Sequence, residues 1–280
     1  MKLRAGRFAL LVPCGLLVLV VTTLAYTFTT IDVPGATTVA KGINAKGDII
    51  GDSNQGGVAR GFLLRKGVFS TIHFPGSSGT DANGINAQGD IVGQYDLSGA
   101  HGYLLQDGVY TTIDVPGAGF TSAQGINSRG DIVGFFNAGS FRGFLLQDGA
   151  FTTIDVPGAS VTIPIGINAQ GDIVGITGDG CPNVVPPCHG FLLHDGSFSL
   201  IDAPGAVDTR ARGINPRGEI VGDVTDPGGT THGFRLRGGI FTAIDIPGGM
   251  YTRARAISEK GVIVGEYSTD GINGHGFVTN

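Results

Sequence analysis

A unit of about 42 residues is repeated six times along this 280-residue chain, and this repetition limits the folds that the chain can adopt. The units are marked by the tripeptide GIN, or AIS in the last unit, which begins at Gly42, Gly84, Gly125, Gly166, Gly213 and Ala256. The successive spacings are 42, 41, 41, 47 and 43 residues. Regular spacing of this size is typical of solenoids, propellers and related repeat arrays.

Each unit contains four short apolar segments: the run into GIN, then GDIVG, GFLL and FTTIDV. They are rich in Ile, Val, Phe, Leu and Thr, which favour strands, and glycine or proline turns bound them. The links inside the first and second pairs of segments have hairpin length. Four antiparallel strands in about 42 residues is the size of one propeller blade. The sequence therefore predicts an all-β, six-bladed β-propeller with four antiparallel strands per blade.

The two ends of the chain indicate how the propeller closes. The first copy of the fourth segment, Phe28 to Val33, precedes every GIN, and the last unit stops at Gly276-Phe277-Val278 without a fourth segment. An open solenoid would need polar capping units at its ends instead. We therefore expect the N-terminal strand to complete the last blade, which also removes an exposed sheet edge.

The N-terminal 25 residues differ in composition from the repeats. They begin MKLRAGR and continue as an apolar run that ends in Thr23-Leu24-Ala25, small residues of the kind that signal peptidase reads. The sequence predicts a signal peptide over 1–25 and one propeller domain over 26–280, in a secreted, periplasmic or cell-surface protein. The alternative is an uncleaved membrane anchor, because the run approaches the ~20 residues that span a bilayer.

The charge of the propeller domain excludes some partners. Residues 26–280 carry 15 basic and 23 acidic side chains, a net charge of −8. An acidic surface without a basic cluster argues against nucleic acid and against anionic membranes. We therefore expect no nucleic acid partner, membrane contact only through an uncleaved N-terminal segment, and a monomer.

Two cysteines, Cys181 and Cys188, lie close together in the insertion CPNVVPPC. In an oxidising compartment they are expected to form a disulfide. The alternative is a metal site that also uses His189 and His194, but this spacing matches no established zinc pattern. The prediction is a disulfide and no metal.

The combined pattern GIN…GDIVG…HGFLL resembles the bacterial extracellular HAF-repeat proteins over nearly all of residues 31–280. The His-Ala-Phe of that family corresponds here to HGF, HGY or RGF, which begin at Arg60, His101, Arg142, His189, His232 and His275. The resemblance implies export and a propeller-like repeat fold. It implies no particular reaction.

Polar residues that recur in every unit are interpreted as structural. The aspartates before the x-Pro-Gly turn are expected to accept backbone hydrogen bonds; they are Asp32, Asp114, Asp155, Asp202 and Asp245. The asparagines of GIN and the acidic residues after the hairpin glycine are interpreted as turn residues. The basic residues before G-F are expected to bond to a neighbouring blade or loop. A second hypothesis is that they form an anion-binding or pH-sensitive ring, since histidine titrates near neutrality.

Binding is predicted on the face where the units differ. The links between the second and third segments, and between successive units, vary in length and lie on one face of an up-and-down propeller. The candidate ligand-binding residues assigned to this face are Asp81, Tyr251 and the arginines of DTRAR and YTRAR, namely Arg210, Arg212, Arg253 and Arg255. Guanidinium groups bind carboxylates or phosphates in a bidentate manner. The alternative is that these arginines pair with aspartates such as Asp208 and Asp226.

Enzyme motifs such as G-x-S-x-G, H-E-x-x-H and the nucleotide-binding loop are missing from the sequence. We therefore predict no catalytic residue, cofactor or metal. The sequence favours an exported, non-enzymatic binding module that engages a glycan, an anionic small molecule, a cell-envelope component or a cell-surface protein. One alternative is a hydrolase or lyase that acts on an acidic sugar at the arginine-lined mouth of the propeller. Another is a purely structural surface protein.

Overall fold

The computed structural model describes residues 26–178 and 188–280, and these residues form strands and turns without a helix. The described chain begins with β1 (Phe28–Ile31). Blade 1 contains β2 (Thr37–Ile43), β3 (Ile49–Gln55), β4 (Val58–Arg65) and β5 (Val68–Ile72). Blade 2 contains β6 (Gly79–Ile85), β7 (Ile91–Asp96), β8 (Ala100–Gln106) and β9 (Val109–Ile113). Blade 3 contains β10 (Phe120–Ile126), β11 (Ile132–Asn137), β12 (Phe141–Gln147) and β13 (Ala150–Ile154).

The remaining blades follow the same order. Blade 4 contains β14 (Thr162–Ile167), β15 (Ile173–Thr177), β16 (His189–His194) and β17 (Ser197–Ile201). Blade 5 contains β18 (Asp208–Ile214), β19 (Ile220–Thr225), β20 (Thr231–Arg237) and β21 (Ile240–Ile244). Blade 6 contains β22 (Tyr251–Ile257), β23 (Ile263–Ser268), β24 (His275–Thr279) and, at its edge, β1. Each sheet is antiparallel, and the first strand of each unit contacts the first strands of both neighbouring blades, including β2 with β22. The predicted six-bladed β-propeller is confirmed.

The predicted closure of the ring by the N-terminal strand is also confirmed. β1 pairs antiparallel with β24, from Phe28 opposite Thr279 to Ile31 opposite Gly276. The Phe28 ring packs edge-on against Phe277 at 5.6 Å between centroids. The two ends of the described chain are thereby held in one sheet, in which β1 covers β24 and forms the outer strand of blade 6.

The hydrophobic core lies between the blades. Successive residues in a strand point to opposite faces of the sheet, and both faces of each blade are covered by a neighbour. Ile91 packs with Ile50 and Ile72 of blade 1, whereas the next residue, Val92, packs with Ile113 and other residues at the interface with blade 3. This arrangement explains why the second segment reads as consecutive apolar residues rather than as an alternation.

The last glycine of each GDIVG segment is required by close backbone packing. A Cβ atom at Gly134 would lie 2.1 Å from the Ser122 carbonyl oxygen and 2.8 Å from the Phe144 ring. The equivalent glycines in the other blades would place a Cβ within 1.9–2.1 Å of a carbonyl oxygen. Only glycine fits where the first and third strands of a blade approach the second strand this closely.

Six threonines join each blade to the turn that precedes it, a feature that the sequence analysis missed. The Thr121 hydroxyl accepts the Val115 amide at 3.1 Å, and the Thr162 hydroxyl accepts the Val156 amide at 2.9 Å. The equivalent threonines are Thr38, Thr80, Thr209 and Thr252. Threonine stands at this position in all six units, and that recurrence was the available signal.

We predict that Ile31→Ala destabilises the propeller strongly. Ile31 is 6% exposed and packs in the interface between blades 6 and 1, so truncation leaves a cavity where the ring closes. The expected loss in the free energy of unfolding is about 2–4 kcal/mol, measured by urea denaturation. Thr29→Ala, at an exposed position of the same strand, is the matched control. Equal stability of the two variants would contradict the assigned closure.

Candidate functional site

The propeller has two chemically different ends. The hairpins between the first and second strands, and between the third and fourth strands, emerge at one end, which we name the hairpin face. The links between the second and third strands, and those into the next blade, emerge at the other end, which we name the loop face. The loop face is the face that varies in sequence.

The central channel is lined by the inner strands, which change register at the same point in every blade. The bulged residue lies two residues before the end of each inner strand, as between Ala40 and Gly42, where Lys41 has no residue opposite it. The bulged residues form one ring around the channel: Lys41, Asn83, Gln124, Ile165, Arg212 and Arg255. A second ring lies nearer the loop face: Val39, Asp81, Ser122, Ile163, Arg210 and Arg253.

The bulged ring lines a cavity of about 150 Å³ that opens between the GIN hairpins, at the hairpin face. Arg212 and Arg255 line this cavity together with Lys41, a residue that the sequence analysis missed. The prediction that all the candidate residues belong to the loop face is therefore corrected. Arg210, Arg253 and Asp81 occupy the ring nearer the loop face, and Tyr251 begins the inner strand at that face. The two arginines of each pair are two residues apart on one strand, so they lie at different heights along the channel.

Each arginine of the channel is held by a carboxylate that lies deeper in the protein. Arg212 pairs with Asp223, whose side chain is 1% exposed, and Arg255 pairs with Glu266, whose side chain is 6% exposed. Arg253 Nη1 also lies 3.3 Å from Glu266 Oε1. A guanidinium group has five N–H donors, so each keeps donors beyond those used by its carboxylate. The basic groups consequently form the surface of the channel, and the acids support them from behind.

The alternative that the arginines pair with aspartates is confirmed for one of the two aspartates proposed. Arg210 Nη2 lies 2.7 Å from Asp208 Oδ2. Asp226 instead accepts the Thr230 amide at 2.8 Å and lies 3.6 Å from the His232 ring. Ion pairing and ligand binding are therefore compatible at the arginines, because pairing uses only part of each donor set.

Burial raises the pKa of both channel carboxylates, but the neighbouring charges give the two groups opposite net shifts. For Glu266, burial opposes ionisation, but Arg255 and Arg253 outweigh it and lower the pKa to about 2. For Asp52, burial dominates and raises the pKa to about 6, although the ion pair with Lys41 partly offsets it. The nearby Asp81 raises the pKa of Asp52 further. Glu266 therefore stays ionised at neutral pH, and Asp52 titrates close to neutrality.

The two remaining candidate residues lie beside this charged group. The Tyr251 ring packs under the Arg253 guanidinium, with 4.7 Å from Cζ to the ring centroid, which is a cation–π contact. Asp81 influences Asp52 electrostatically, and its backbone carbonyl accepts the Tyr103 hydroxyl at 3.0 Å. The charged members of the bulged ring thus come from blades 5, 6 and 1. The opposite half of the ring, from blades 2, 3 and 4, consists of the uncharged residues Asn83, Gln124 and Ile165.

The predicted disulfide stays a prediction because Cys181 lies outside the described residues. The alternative metal site does not fit the structure. His189 and His194 lie at opposite ends of β16, where His189 pairs with Asp202 at 2.7 Å and His194 with Asp172 at 2.6 Å. Among residues 26–178 and 188–280, no cluster of three or more metal-ligating side chains occurs.

The recurring acidic and basic residues of the loop face pair with one another inside blades 2 to 6. His101 lies 3.0 Å from Asp114, and His275 lies 2.8 Å from Asp32 across the closing strands. The other pairs are Arg142–Asp155, His189–Asp202 and His232–Asp245. The basic residues were expected to bond to a neighbouring blade or loop, and Arg60 does so, since its Nη1 donates to the Ser78 carbonyl at 3.1 Å in the link to blade 2. The aspartates were expected to accept backbone hydrogen bonds, whereas these five pair with basic side chains. Strand pairing explains this, because residues that flank adjacent strand ends are brought side by side.

The asparagines of GIN are turn residues, as predicted, and they also link the blades. Asn127 Oδ1 accepts the Asp131 amide at 3.0 Å, and its Nδ2 donates to the Asn168 carbonyl of the next blade at 3.2 Å. Asn86, Asn168 and Asn215 donate to the next blade in the same way. This belt of bonds fixes the rim of the cavity.

No family model matches the sequence, and no curated protein is significantly similar to it. In the part of the chain that the structure describes, no helix is long and apolar enough to cross a membrane. Solved structures similar to this chain are β-propellers. The propeller domain of the trilobed protease from Pyrococcus furiosus, described as having an open velcro topology, aligns over 91% of this chain and 85% of that one at 12% identity and a TM-score of 0.58.

Two further structures show the same fold in proteins of different kinds. TolB from Acinetobacter baumannii aligns over 88% of this chain and 55% of that one, at 14% identity and a TM-score of 0.54. Virginiamycin B lyase from Staphylococcus aureus aligns over 90% of this chain and 85% of that one, at 16% identity and a TM-score of 0.51. At these identities the similarity shows the β-propeller fold and leaves the activity open.

We predict that Asp52 makes the protein more stable as the pH falls from about 7.5 to about 5. Its pKa of about 6 in the fold lies above the value of 3.8 for an exposed aspartate. The folded state therefore binds a proton in this range that the unfolded state does not bind, and stability increases as pH falls through 6. The expected contribution is about 1 kcal/mol by pH 5.

The measurement is the free energy of unfolding against pH for the native protein and Asp52→Asn. All other side chains are the same in the two proteins, so the difference between the curves isolates Asp52. Glu266, whose pKa is lowered, loses its stabilising effect only as the pH falls from about 4.5 towards 2 and stays ionised in this window. Two parallel curves would show that Asp52 does not titrate as assigned.

Proposed function

We propose that the protein is an exported, non-enzymatic binding module that holds an anionic group of its ligand in the central channel. The observation that carries the proposal is the convergence of Lys41, Arg212 and Arg255 on one cavity from three consecutive blades. The ligand classes that fit are an acidic glycan, an anionic small molecule or an acidic group of a cell-envelope component or protein.

Pre-organisation supports binding at these three cations. Asp223 and Glu266 hold Arg212 and Arg255 in place before any ligand arrives. Because these side chains are already ordered, less of the binding free energy is lost in immobilising them when a ligand binds. In a cavity of about 150 Å³ there is room for a group about the size of benzene. A phosphate, or the carboxylate of a sugar acid, is of suitable size, and the rest of a larger ligand would extend out of the opening.

Export of the protein is part of this proposal. It is supported by the signal-like composition of residues 1–25 and by the resemblance to the HAF-repeat proteins. A disulfide between Cys181 and Cys188 would agree with an oxidising compartment.

A hydrolase or lyase acting on an acidic sugar is the second candidate, and Asp52 is the observation that favours it. A buried carboxyl group with a pKa of about 6, beside Asp81 and Lys41, has the acidity of a general acid or base. Asp52 already has structural partners, however, because it pairs with Lys41 and accepts the Ala82 amide at 2.9 Å. Binding without turnover therefore accounts for its surroundings with fewer assumptions.

We predict that Gln124→Glu weakens anion binding at least about tenfold, because it adds a negative charge to the bulged ring without removing any ion pair. Gln170→Glu makes the same change on an exposed hairpin outside the ring and is the matched control. The probes are inorganic phosphate and galacturonate, measured by isothermal titration calorimetry. The proposal would be contradicted if the native protein bound neither probe, or if the two variants weakened binding equally.

The enzyme alternative has a separate test. Oligogalacturonate is incubated with the native protein and with Asp52→Asn, and new reducing ends and unsaturated products are measured. For a binding module we expect no product from either protein and retained galacturonate binding in the variant. Product from the native protein that Asp52→Asn abolishes would establish the enzyme instead.

A further inference from the structure

The hairpin face is divided into a basic half and an acidic half. The hairpins of blades 5, 6 and 1 carry six basic and three acidic side chains, a net charge of +3. The six cations are all exposed: Lys46, Arg65, Lys66, Arg217, Arg237 and Lys260. Two of the three acids, Asp48 and Glu219, are buried under these cations.

The other half has the opposite sign. The hairpins of blades 2, 3 and 4 carry one arginine, Arg129, against six aspartates, a net charge of −5 with histidine neutral. The aspartates are Asp90, Asp107, Asp131, Asp148, Asp172 and Asp195. The two signs are thus segregated on one face, although the whole domain is acidic.

From this division we propose that the hairpin face binds the hairpin face of a second copy of this chain. A two-fold axis in the plane of the face, passing between blades 1 and 2, places blades 5, 6 and 1 of one copy over blades 4, 3 and 2 of the other. Every contact then occurs twice, as a two-fold interface requires. The basic half of each copy lies over the acidic half of its partner.

Exposed apolar side chains occupy the same hairpin position in blades 1, 2 and 5, and those of blades 1 and 2 lie beside the proposed axis. Val68 of blade 1 is 69% exposed and Val109 of blade 2 is 65% exposed, and they occupy equivalent positions in their hairpins. The proposed axis brings blade 1 of one copy onto blade 2 of the other, so each valine meets its equivalent. Their neighbours Lys66 and Asp107 then face each other with opposite charges.

A membrane surface suits this face less well than a second copy does. Anionic lipid attracts Lys and Arg close to the surface, and the basic half would gain from it. The acidic half lies on the same face, however, and would be repelled by the same lipid. Only a partner whose surface changes sign across the face satisfies both halves, and the chain itself has such a surface. This proposal replaces the expectation of a monomer. Because the channel cavity opens at the hairpin face, the dimer covers that opening, and a ligand too large for the cavity would bind only to the monomer.

The geometry of the hairpins offers a test by charge exchange. Lys66 has φ of +51° and Asp107 has φ of +50°, so the two residues occupy the same left-handed turn position. The same turn position therefore accommodates a lysine in blade 1 and an aspartate in blade 2. Lys66→Asp and Asp107→Lys are therefore expected to fold, and neither residue has an ion pair within the described part of the chain.

The experiment is sedimentation velocity over a dilution series of the chain from Tyr26 onward, which contains the 24 strands of the described residues. We expect a dimer whose dissociation constant increases with salt. Either single variant places like charges opposite each other twice, so its dissociation constant should increase at least about tenfold. The double variant Lys66→Asp/Asp107→Lys restores opposite charges and should return the dissociation constant to near the native value.

Asp96→Lys makes the same charge change as Asp107→Lys on the loop face and should leave the dimer intact. A native protein that is monomeric at every concentration, or a double variant as weak as the single variants, would overturn the proposal. Binding of the monomer to phosphatidylglycerol vesicles, without dimers, would overturn it in favour of a membrane contact.

Discussion

Strand pairing between β1 and β24 is the interaction on which the rest of the structure depends. Every blade buries both of its faces against neighbours, so no blade has a complete core alone. A break at any interface exposes two apolar faces, and the interface between blades 6 and 1 is the one that the chain does not connect through a continuous unit. The pairing from Phe28 to Ile31 supplies that connection, and the His275–Asp32 pair fastens its loop-face end. The channel keeps its shape only while the ring is closed, because its lining comes from all six blades.

Positions at which the six units differ are informative, because many positions carry the same residue in nearly every unit. The glycine that follows Ile-Val, the inner-strand threonine and the GIN asparagine serve packing or turns, and each has a structural partner in its own blade or the next. At the bulged position, by contrast, the side chains differ among blades: lysine, asparagine, glutamine, isoleucine and two arginines. A scaffold that tolerates such different side chains at one position, and places them together around a cavity, is free to adapt them to a ligand. The same reasoning applies to the hairpin tips, where charge varies over an unchanged turn.

The fold was predictable from the sequence because its strongest signals are local. Glycine and proline turns bound each strand, and the count of segments at the two ends indicates closure. The division of the candidate site was not predictable, because the sequence shows neither which inner-strand residues line the cavity nor the bulge that leaves Arg212 without an opposite residue. Lys41 escaped notice for the same reason, since it occupies the position of Arg212 in a unit without the TRAR motif. The pairing of His101 with Asp114 depends on strand register, which spacing within one segment does not reveal.

The carboxylates beneath the channel cations determine how far the site can be adapted. Asp223 is 1% exposed and paired with Arg212, so removal of the arginine would leave a buried charge without its partner and cost about 3–5 kcal/mol. The cation and its acid are therefore linked, and a change of ligand charge would require a change of both. Blades 2, 3 and 4 carry neutral residues in the bulged ring and have no such constraint. Selection for a new ligand would act first on Asn83, Gln124 and Ile165, with the charged side of the channel kept as the fixed anion-binding element.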